Sequence, residues 1–296
     1  MINKLNKPFS LLIIAFVYAI AFVAVYFVFS YLPAGNSFVQ VLFADVVATL
    51  VVFFFSVLLK NSSVYDPYWS VVPPVIAVHL FLTHPDGLLF RQAIVMVLVF
   101  FWGIRLTANW ARGWPGMHHQ DWRYTNIANK TGVFYWPVSF LGIHLMPTLI
   151  VFLGCIPLWY SISSPHEFNV IDILAIVLTL AAVIFEWTAD EQLRNFLKLS
   201  KSGQHMEKGL WALTRHPNYL GEISFWIGMF LFGLAASGQE TAWTGIGTLM
   251  MIVLFAFISI PMMDKRNRHR RTHYAEYMKR VPALRIKWPS KNVNKK

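Results

Sequence analysis

Long apolar stretches follow one another along this chain, and they restrict its fold more than any other feature. Several approach or exceed the ~20 apolar residues that a helix needs to cross a bilayer. Only 13% of the residues are charged, against about 25% in soluble domains. The sequence therefore predicts an all-α polytopic membrane protein. The predicted spans are residues 9–31, 38–59, 70–83, 89–109, 134–160, 169–189, 219–236 and 241–263.

The basic residues are unevenly distributed about these spans. If all eight cross, every one of the 25 Lys and Arg residues except Arg91 lies on one face. By the positive-inside rule, both termini and the long polar loops are predicted to be cytoplasmic. The net charge of +11 then reflects topology, so membrane lipids are expected as partners and nucleic acid is not.

The sequence predicts one transmembrane domain over residues 1–296. Residues 1–37 form an extra N-terminal helix, which is retained rather than cleaved, because its apolar run is longer than that of a typical signal peptide. Residues 38–263 form the helical core, and residues 264–296 form a basic cytoplasmic segment. The third span is short and contains Pro73-Pro74, so its full crossing is left open.

Polar residues gather in four segments at the predicted cytoplasmic face, where ionisable groups of membrane proteins usually have a function. The first segment is SSVYDPYWS, in which Asp66 starts a turn among aromatic residues. Its aromatic residues are also typical of a membrane-interface belt, and Asp66 is a possible helix cap. Alone, this segment indicates little.

The second segment is FWGIRLTANWARGW, followed by DWRY. Arg105, Asn109 and Arg112 share one helix face at the end of the fourth span. Arg105 alone is also typical of a side chain that reaches toward the membrane surface. Three polar residues on one stripe favour the lining of a cavity.

The third segment is FEWTADEQLRNF, where Glu186, Asp190 and Arg194 recur every four residues. A buried acid near a bilayer needs a partner. Two explanations of this stripe stay open: an ion pair of either acid with Arg194, or contact with a ligand.

The fourth segment is LTRHPNYLGEISFWIG. Pro217 suits the first turn of a helix, and Asn218 and Glu222 then lie on one face of the seventh span. Arg215 and His216 precede the helix N-terminus, where backbone N–H groups favour an anion. This turn is predicted to hold a negative group at the membrane surface.

The tail MMDKRNRHRRTHYAEYMKR is predicted as a continuous helix with Arg266, Arg270 and Tyr274 on one face. The alternative is a polybasic segment that rests on anionic lipid. His269 and His273 are spaced like a metal pair, but no third ligand is evident, so no metal is predicted.

The chain resembles the steroid 5-alpha-reductase family, specifically its bacterial branch of DUF1295 membrane proteins, over roughly residues 60–280. This branch implies a bacterial inner membrane as the location. The matching segments are YDPYWS, RLTANWARGW, DWRY, ADEQLRNF, GLWALTRHPNYLGE and RNRHRRTHYAEY. The resemblance implies a bundle of seven transmembrane helices, eight with the extra one here, that encloses a cofactor and substrate cavity. It also implies that NADPH reduces a carbon–carbon double bond conjugated to a ketone, in a steroid-like or other lipophilic substrate that comes from the bilayer.

The resemblance assigns roles residue by residue. Asp190 and Arg194 match cofactor-contacting positions, Asn218 and Glu222 match an Asn and a Glu at the nicotinamide and substrate end, and Asp66 matches a Glu that polarises the ketone. The tail residues match positions around the adenosine and phosphates, although the family often has His at position 270. The predicted cofactor-binding residues are Arg105, Asn109, Arg112, Asp190, Arg194, Asn218, Arg266, His269, Arg270 and Tyr274. The predicted catalytic residues are Asp66, Tyr68 and Glu222.

One position departs from the family pattern. The steroid reductases have a Tyr three residues before the Arg that aligns with Arg105, and this Tyr donates a hydrogen bond to the ketone. Trp102 stands there in this chain, and an indole N–H cannot supply a proton. Tyr65, Tyr68 or a protonated Asp66 is expected to take this role, or the substrate is not an ordinary enone.

Two other functions are compatible with parts of the sequence. Membrane methyltransferases related to the isoprenylcysteine carboxyl methyltransferases have a turn similar to RHPNY, which helps to bind S-adenosylmethionine. A non-enzymatic lipid-binding or transport protein is the third possibility. The upstream DPYWS and RLTANW segments, the Asp190 and Arg194 pair and the basic tail favour the reductase.

Overall fold

The structure, a computed structural model, describes residues 5–32 and 35–287, which contain helices and no strand. The predicted all-α fold class is therefore confirmed. The α-helices are α1 (Lys7–Tyr31), α2 (Ser37–Leu58), α3 (Tyr68–Thr83), α4 (Leu89–Gly113), α5 (Trp122–Thr131), α6 (Tyr135–Ser139), α7 (Met146–Ser163), α8 (Val170–Leu199), α9 (Leu210–Leu213), α10 (Pro217–Ser237), α11 (Gly245–Val253), α12 (Ile260–Arg270) and α13 (Tyr274–Arg280). Short 3-10 or π-helical segments are Ser62–Tyr65, Gly132–Phe134, Phe140–Leu145, Gly238–Thr244 and Leu254–Ser259.

Six helical stretches in the described ranges are long and apolar enough to cross a membrane. They are Lys7–Tyr31, Ser37–Leu58, Leu89–Gly113, Trp122–Ser163, Val170–Leu199 and Pro217–Arg270. The last contains two arms, because Thr248 Oγ1 of α11 donates to Trp226 O of α10 at 3.1 Å. Helix α3 has only 16 residues, fewer than the ~17–25 of a spanning helix. Helical segments therefore cover all eight predicted spans, but the third, in α3, is too short to be one of these six stretches.

The chain divides into two compact units, Met1–Pro165 and His166–Lys296. In the first unit, α3 continues through its two prolines. Pro74 has no N–H to donate to Ser70 O, four residues earlier. Gly103 of α4 packs against this carbonyl, since a Cβ at Gly103 would lie 2.6 Å from Ser70 O. The proline pair therefore leaves the helix unbroken and sets a close contact between α3 and α4.

In the second unit, α8 and α10 pack closely along glycines. A Cβ at Gly221 would lie 2.8 Å from Glu186 Cβ and 3.0 Å from Ala182 O. Gly228, two turns later, meets Thr179 in the same way. Small residues let two helix backbones approach in a membrane, and this contact fixes the direction of α10. Helix α10 begins at Pro217, as predicted.

The continuous helix predicted for the tail is wrong. Helix α12 ends at Arg270, and α13 begins at Tyr274 after His273, whose φ of 58° is left-handed. Between them, Thr272 N donates to Gly203 O at 2.8 Å. This contact with the loop before α9 replaces helical hydrogen bonding, so Arg270 and Tyr274 lie on different helices. The basic residues after position 287 lie outside the described residues.

Candidate functional site

A single carboxylate, Asp264 of α12, holds the turn that precedes α10. It is buried and accepts hydrogen bonds from Arg215 Nη2 at 2.8 Å, His216 Nε2 at 3.0 Å and Tyr274 Oη at 2.8 Å. These four residues are named the Asp264 cluster. The sequence predicts that this turn holds a negative group, and in the structure the carboxylate of Asp264 lies there.

The segment after α13 fixes the same turn. Arg215 Nη1 donates to Met278 O at 3.2 Å and to Val281 O at 2.5 Å. Arg215 N donates to Pro282 O at 2.8 Å. The guanidinium therefore joins the turn before α10 to α12, to α13 and to the segment after α13, and Arg215 has a structural role that the sequence did not indicate.

A cavity of about 160 Å³ lies against the Asp264 cluster. It is smaller than the ~300–1,000 Å³ of typical ligand pockets, so it suits one ring system of a larger ligand such as a nucleotide. We name it the Tyr274 pocket. Its aromatic wall consists of His205, Trp211, Tyr274 and Tyr277, and its polar wall includes Asn218, Asn267 and Arg271.

Two buried nitrogen atoms in this wall make no hydrogen bond within the described residues, namely His205 Nε2 and Arg215 Nε. The nearest carboxylate to His205 Nε2 is Glu207 Oε2, at 3.7 Å. Burial lowers the pKa of His205, although the charge of Glu207 opposes this shift. The ring is therefore neutral at pH 7 and offers a polar atom to a ligand. Buried polar atoms without a hydrogen bond are uncommon in proteins.

Two of the predicted cofactor residues, Asn218 and Tyr274, line this pocket. The break after α12 puts Arg271 in the wall, where Nη1 donates to Gln204 O. Arg270, the predicted residue, is exposed and is not part of the wall. If α12 continued as a helix to Tyr274, Arg270 rather than Arg271 would share the helix face of Tyr274.

The other predicted residues of the second unit lie outside the pocket wall. Arg266 is half-buried on α12, and His269 is exposed in a separate recess. Asp190 and Arg194 are half-buried on α8, and Arg194 Nε lies 3.5 Å from Glu191 Oε1. This contact is a different one from the two ion pairs considered from the sequence.

Glu222 lies one turn after Asn218 on α10, as the spacing predicts. Its side chain is 2% exposed and accepts a hydrogen bond from Trp226 Nε1 at 2.9 Å. A buried carboxylate therefore lies one helical turn along α10 from the pocket residue Asn218.

In the first unit, the loops of the first two polar segments meet. Asn61 Nδ2 donates to Met117 O at 2.8 Å and to His119 O at 3.0 Å. Tyr124 Oη donates to Asp66 Oδ1 at 2.5 Å. The DPYWS and DWRY motifs therefore build one structure, and its centre is the pair formed by Asp66 and Tyr124.

Asp66 is half-buried after the Ser62–Tyr65 turn. Burial raises its pKa to about 6, while the charge of Arg123 and the hydrogen bond from Tyr124 oppose a larger shift. Such a carboxyl takes up and releases a proton within about one pH unit of neutrality. The pair can therefore hold a proton and present it to a carbonyl oxygen.

The other two donors considered from the sequence are already engaged. Tyr65 Oη and Thr148 Oγ1 share a hydrogen bond of 2.8 Å, and Tyr68 Oη donates to Asp45 Oδ1 at 2.7 Å. Both tyrosines are 2% exposed and their ring centroids lie 5.2 Å apart. Of the three candidates, Asp66 is the one with a half-exposed side chain.

The polar stripe of α4 is present as predicted. Arg105 is buried, Asn109 is half-buried and Arg112 is exposed, so the three lead from the interior of the first unit to its surface. Lys7 Nζ donates to Arg112 O at 2.9 Å, which ties the start of α1 to the end of α4. Trp102, at the position of the family Tyr, is fully buried.

Sequence reasoning missed Asp45, Tyr124, His205 and Asp264 as functional candidates. Two of them carried a signal. Asp45 interrupts an apolar span, and Asp264 is the one acidic residue between positions 241 and 275. A carboxylate in such a place needs a partner or a ligand. Tyr124 belongs to the DWRY motif but has no assigned role in it, and His205 stands in a polar loop where helix spacing and hydropathy give no signal.

The family described as "Protein of unknown function (DUF1295)" matches residues 52–281. An uncharacterized protein of the fission yeast Schizosaccharomyces pombe is 26% identical over 272 residues, which cover 83% of this chain and 78% of that protein. No solved structure matches significantly. This relative is eukaryotic, and the bacterial inner membrane stays a prediction.

Proposed function

The chain belongs to the DUF1295 family, and we propose that it is a membrane enzyme that uses NADPH to reduce a carbon–carbon double bond conjugated to a ketone in a lipophilic substrate. The observation that carries the proposal is the Tyr274 pocket. It combines aromatic faces, two amides and two nitrogen atoms without hydrogen bonds beside the arginine-rich end of α12.

The pocket wall suits the adenosine part of a nucleotide. An aromatic base stacks on Tyr or Trp rings, and the side chain of Asn267 offers both donors and acceptors. NADPH and S-adenosylmethionine both contain adenosine, so this wall alone does not choose between them.

Charge favours NADPH over S-adenosylmethionine. NADPH is a polyanion, whereas S-adenosylmethionine has a cationic sulfonium. Arg268 and Arg270 lie in the last turn of α12, and Arg271 follows them into the pocket wall. Guanidinium groups match phosphate oxygens in two-pronged geometry. The cluster therefore supports a cofactor with an additional phosphate, which is NADPH rather than NADH.

NADPH, when bound, supplies a hydride to the beta carbon of the enone. In this proposal Asn218 orients the nicotinamide end, and Glu222 fixes the face of α10 from which the amide projects. The donor to the ketone oxygen, where negative charge gathers, is proposed separately, within the first unit, as Asp66 in its protonated form. This carboxyl takes the role that Trp102 cannot fill, and Tyr124 positions it by donating to Asp66 Oδ1.

The proposal is tested by thermal unfolding of the detergent-solubilised protein with NADPH, NADH or S-adenosylmethionine. We expect NADPH to stabilise most, by about 2.7 kcal/mol at a hundredfold excess over its dissociation constant. The double change Arg270→Ala and Arg271→Ala should remove the preference over NADH, while Lys130→Ala on the exposed face of α5 should not. Stabilisation by S-adenosylmethionine alone would instead support the methyltransferase.

A further inference from the structure

A second, larger cavity lies within the first unit, between α1, α2 and α3. Its volume is about 580 Å³, which lies inside the ~300–1,000 Å³ range of ligand pockets. On α3 the wall extends from Tyr68 to His79, a distance of roughly 16 Å at ~1.5 Å per helical residue. Apolar side chains such as Phe22, Val41 and Ile76 form most of the wall. We name it the α1–α3 cavity.

One buried carboxylate lines this apolar cavity. Asp45 of α2 is 6% exposed, and its Oδ1 accepts the hydrogen bond from Tyr68. Its Oδ2 is buried and has no hydrogen-bond partner within residues 5–32 and 35–287. A carboxylate oxygen inside a membrane span is costly unless a partner satisfies it. The structure thus presents a polar anchor at one end of an apolar, elongated space.

We propose that the α1–α3 cavity binds a single-chain lipid with a terminal hydroxyl, which donates its proton to Asp45 Oδ2 while the chain lies along the apolar wall.

A hydroxyl group fits this anchor better than the alternatives do. It donates a hydrogen bond to the free oxygen, and its chain covers apolar surface that would otherwise stay uncovered. A buried water typically needs about three polar partners, and at this end the wall offers Asp45 and a Tyr68 hydroxyl that already donates to it. A phosphate head would place a second negative charge beside a carboxylate.

This site goes beyond the proposed reductase. The α1 wall and the part of the α2 wall from Val41 to Ala48 precede residue 52, where the match to the family begins. The cavity therefore depends on the N-terminal helices of this chain. Its test needs no cofactor and no turnover, so its failure is separate from failure of the reductase proposal.

The test is a scintillation-proximity assay with tritiated hexadecan-1-ol and the full-length protein in nanodiscs. We expect saturable binding of one molecule per chain. Unlabelled hexadecan-1-ol should compete about tenfold better than 1-methoxyhexadecane, which lacks the O–H donor. Asp45→Asn keeps an oxygen for Tyr68 and replaces Oδ2 with an N–H donor. It should therefore abolish the preference for the alcohol over the ether.

A cavity-filling pair of variants controls for location. Ala48→Phe places a ring in the cavity wall, whereas Leu50→Phe places the same ring on a side of α2 that is 45% exposed. The first should abolish binding and the second should leave it unchanged. Absence of saturable binding to the wild type, equal competition by alcohol and ether, or binding that survives Ala48→Phe would overturn the proposal.

Discussion

Three buried or half-buried carboxylates have different surroundings, and each surrounding determines what the side chain does. Asp264 meets two basic side chains and a tyrosine hydroxyl, so it is an ionised structural anchor. Asp66 meets the Tyr124 hydroxyl and a more distant arginine, and its burial is the largest effect on its pKa, so it keeps a proton more readily. Asp45 has one oxygen bound by Tyr68 and one without a hydrogen-bond partner among the described residues, so it is available to a ligand.

Removal of the Asp264 carboxylate should destabilise the second unit. Asp264→Ala leaves the buried guanidinium of Arg215 without its charge partner, a loss that typically costs about 3–5 kcal/mol. The free energy of unfolding, measured by denaturant titration in detergent, checks this value. The matched control is Glu276→Ala, which removes an exposed pair with His273 and should cost about 0–1 kcal/mol. Equal effects of the two changes would contradict the anchor role.

Asp66 should make stability depend on pH in a defined direction. Its folded-state pKa is raised from 3.8 to about 6. The protonated form is therefore favoured by folding, and this contribution is full below the ordinary pKa and is lost as pH rises through about 6. The unfolding midpoint of the wild type should fall relative to that of Asp66→Asn between about pH 4 and pH 7.

Tyr124→Phe gives the matched comparison for this titration. The Tyr124 hydrogen bond lowers the pKa of Asp66, so its removal should move the loss of stability to higher pH. An Asp66→Asn variant that follows the wild type at every pH would contradict the titration of this carboxyl.

At the scale of elements, periodicity and hydropathy predicted the helices well, because each span is set by its own apolar length. Helix α10 begins at Pro217, since a proline in the first turn lacks only a hydrogen bond that the helix would not use. The break between Arg270 and Tyr274 could not be predicted in this way. It depends on the contact of Thr272 N with Gly203 O, about seventy residues away along the chain.

The same limit applies to the candidate site. The sequence grouped Asn218 with Glu222 and indicated Tyr274, because helix spacing and the family motifs carry that information. It predicted Arg270 as a cofactor residue on the face of Tyr274, whereas Arg271 lines the Tyr274 pocket, because α12 ends at Arg270 instead of continuing to Tyr274. The pairing of Tyr124 with Asp66 is a tertiary contact that no local pattern encodes.

The packing of α8 against α10 should tolerate no side chain at Gly221. Gly221→Ala places a Cβ 2.8 Å from Glu186 Cβ, so the helices must separate, at a typical cost of about 1–3 kcal/mol. Denaturant titration in detergent measures this cost. Gly142→Ala, where a Cβ meets no atom within 4 Å, is the control and should be neutral or slightly stabilising. A neutral Gly221→Ala would show that this contact is not close.

At the scale of the whole molecule, the helical spans and the distribution of the basic residues predict a topology with both termini in the cytoplasm. Reporter fusions after Ser237 and after Lys296 should lie on opposite sides of the membrane, because one arm, α11 with α12, separates them. An alkaline phosphatase fusion should be active only at the first position, and a cytoplasmic fluorescent reporter only at the second. Both reporters on one side would contradict the crossing of this arm.

The central claim is that the second unit holds NADPH, and a cryo-electron microscopy structure of the full-length protein with saturating NADPH tests it most directly. The account predicts density for the adenosine end of the nucleotide in the Tyr274 pocket, and a nicotinamide end in polar contact with Asn218 and Glu222. A pocket that stays empty, a nicotinamide that lies away from both residues, or a parallel sample in which S-adenosylmethionine fills the pocket would contradict it.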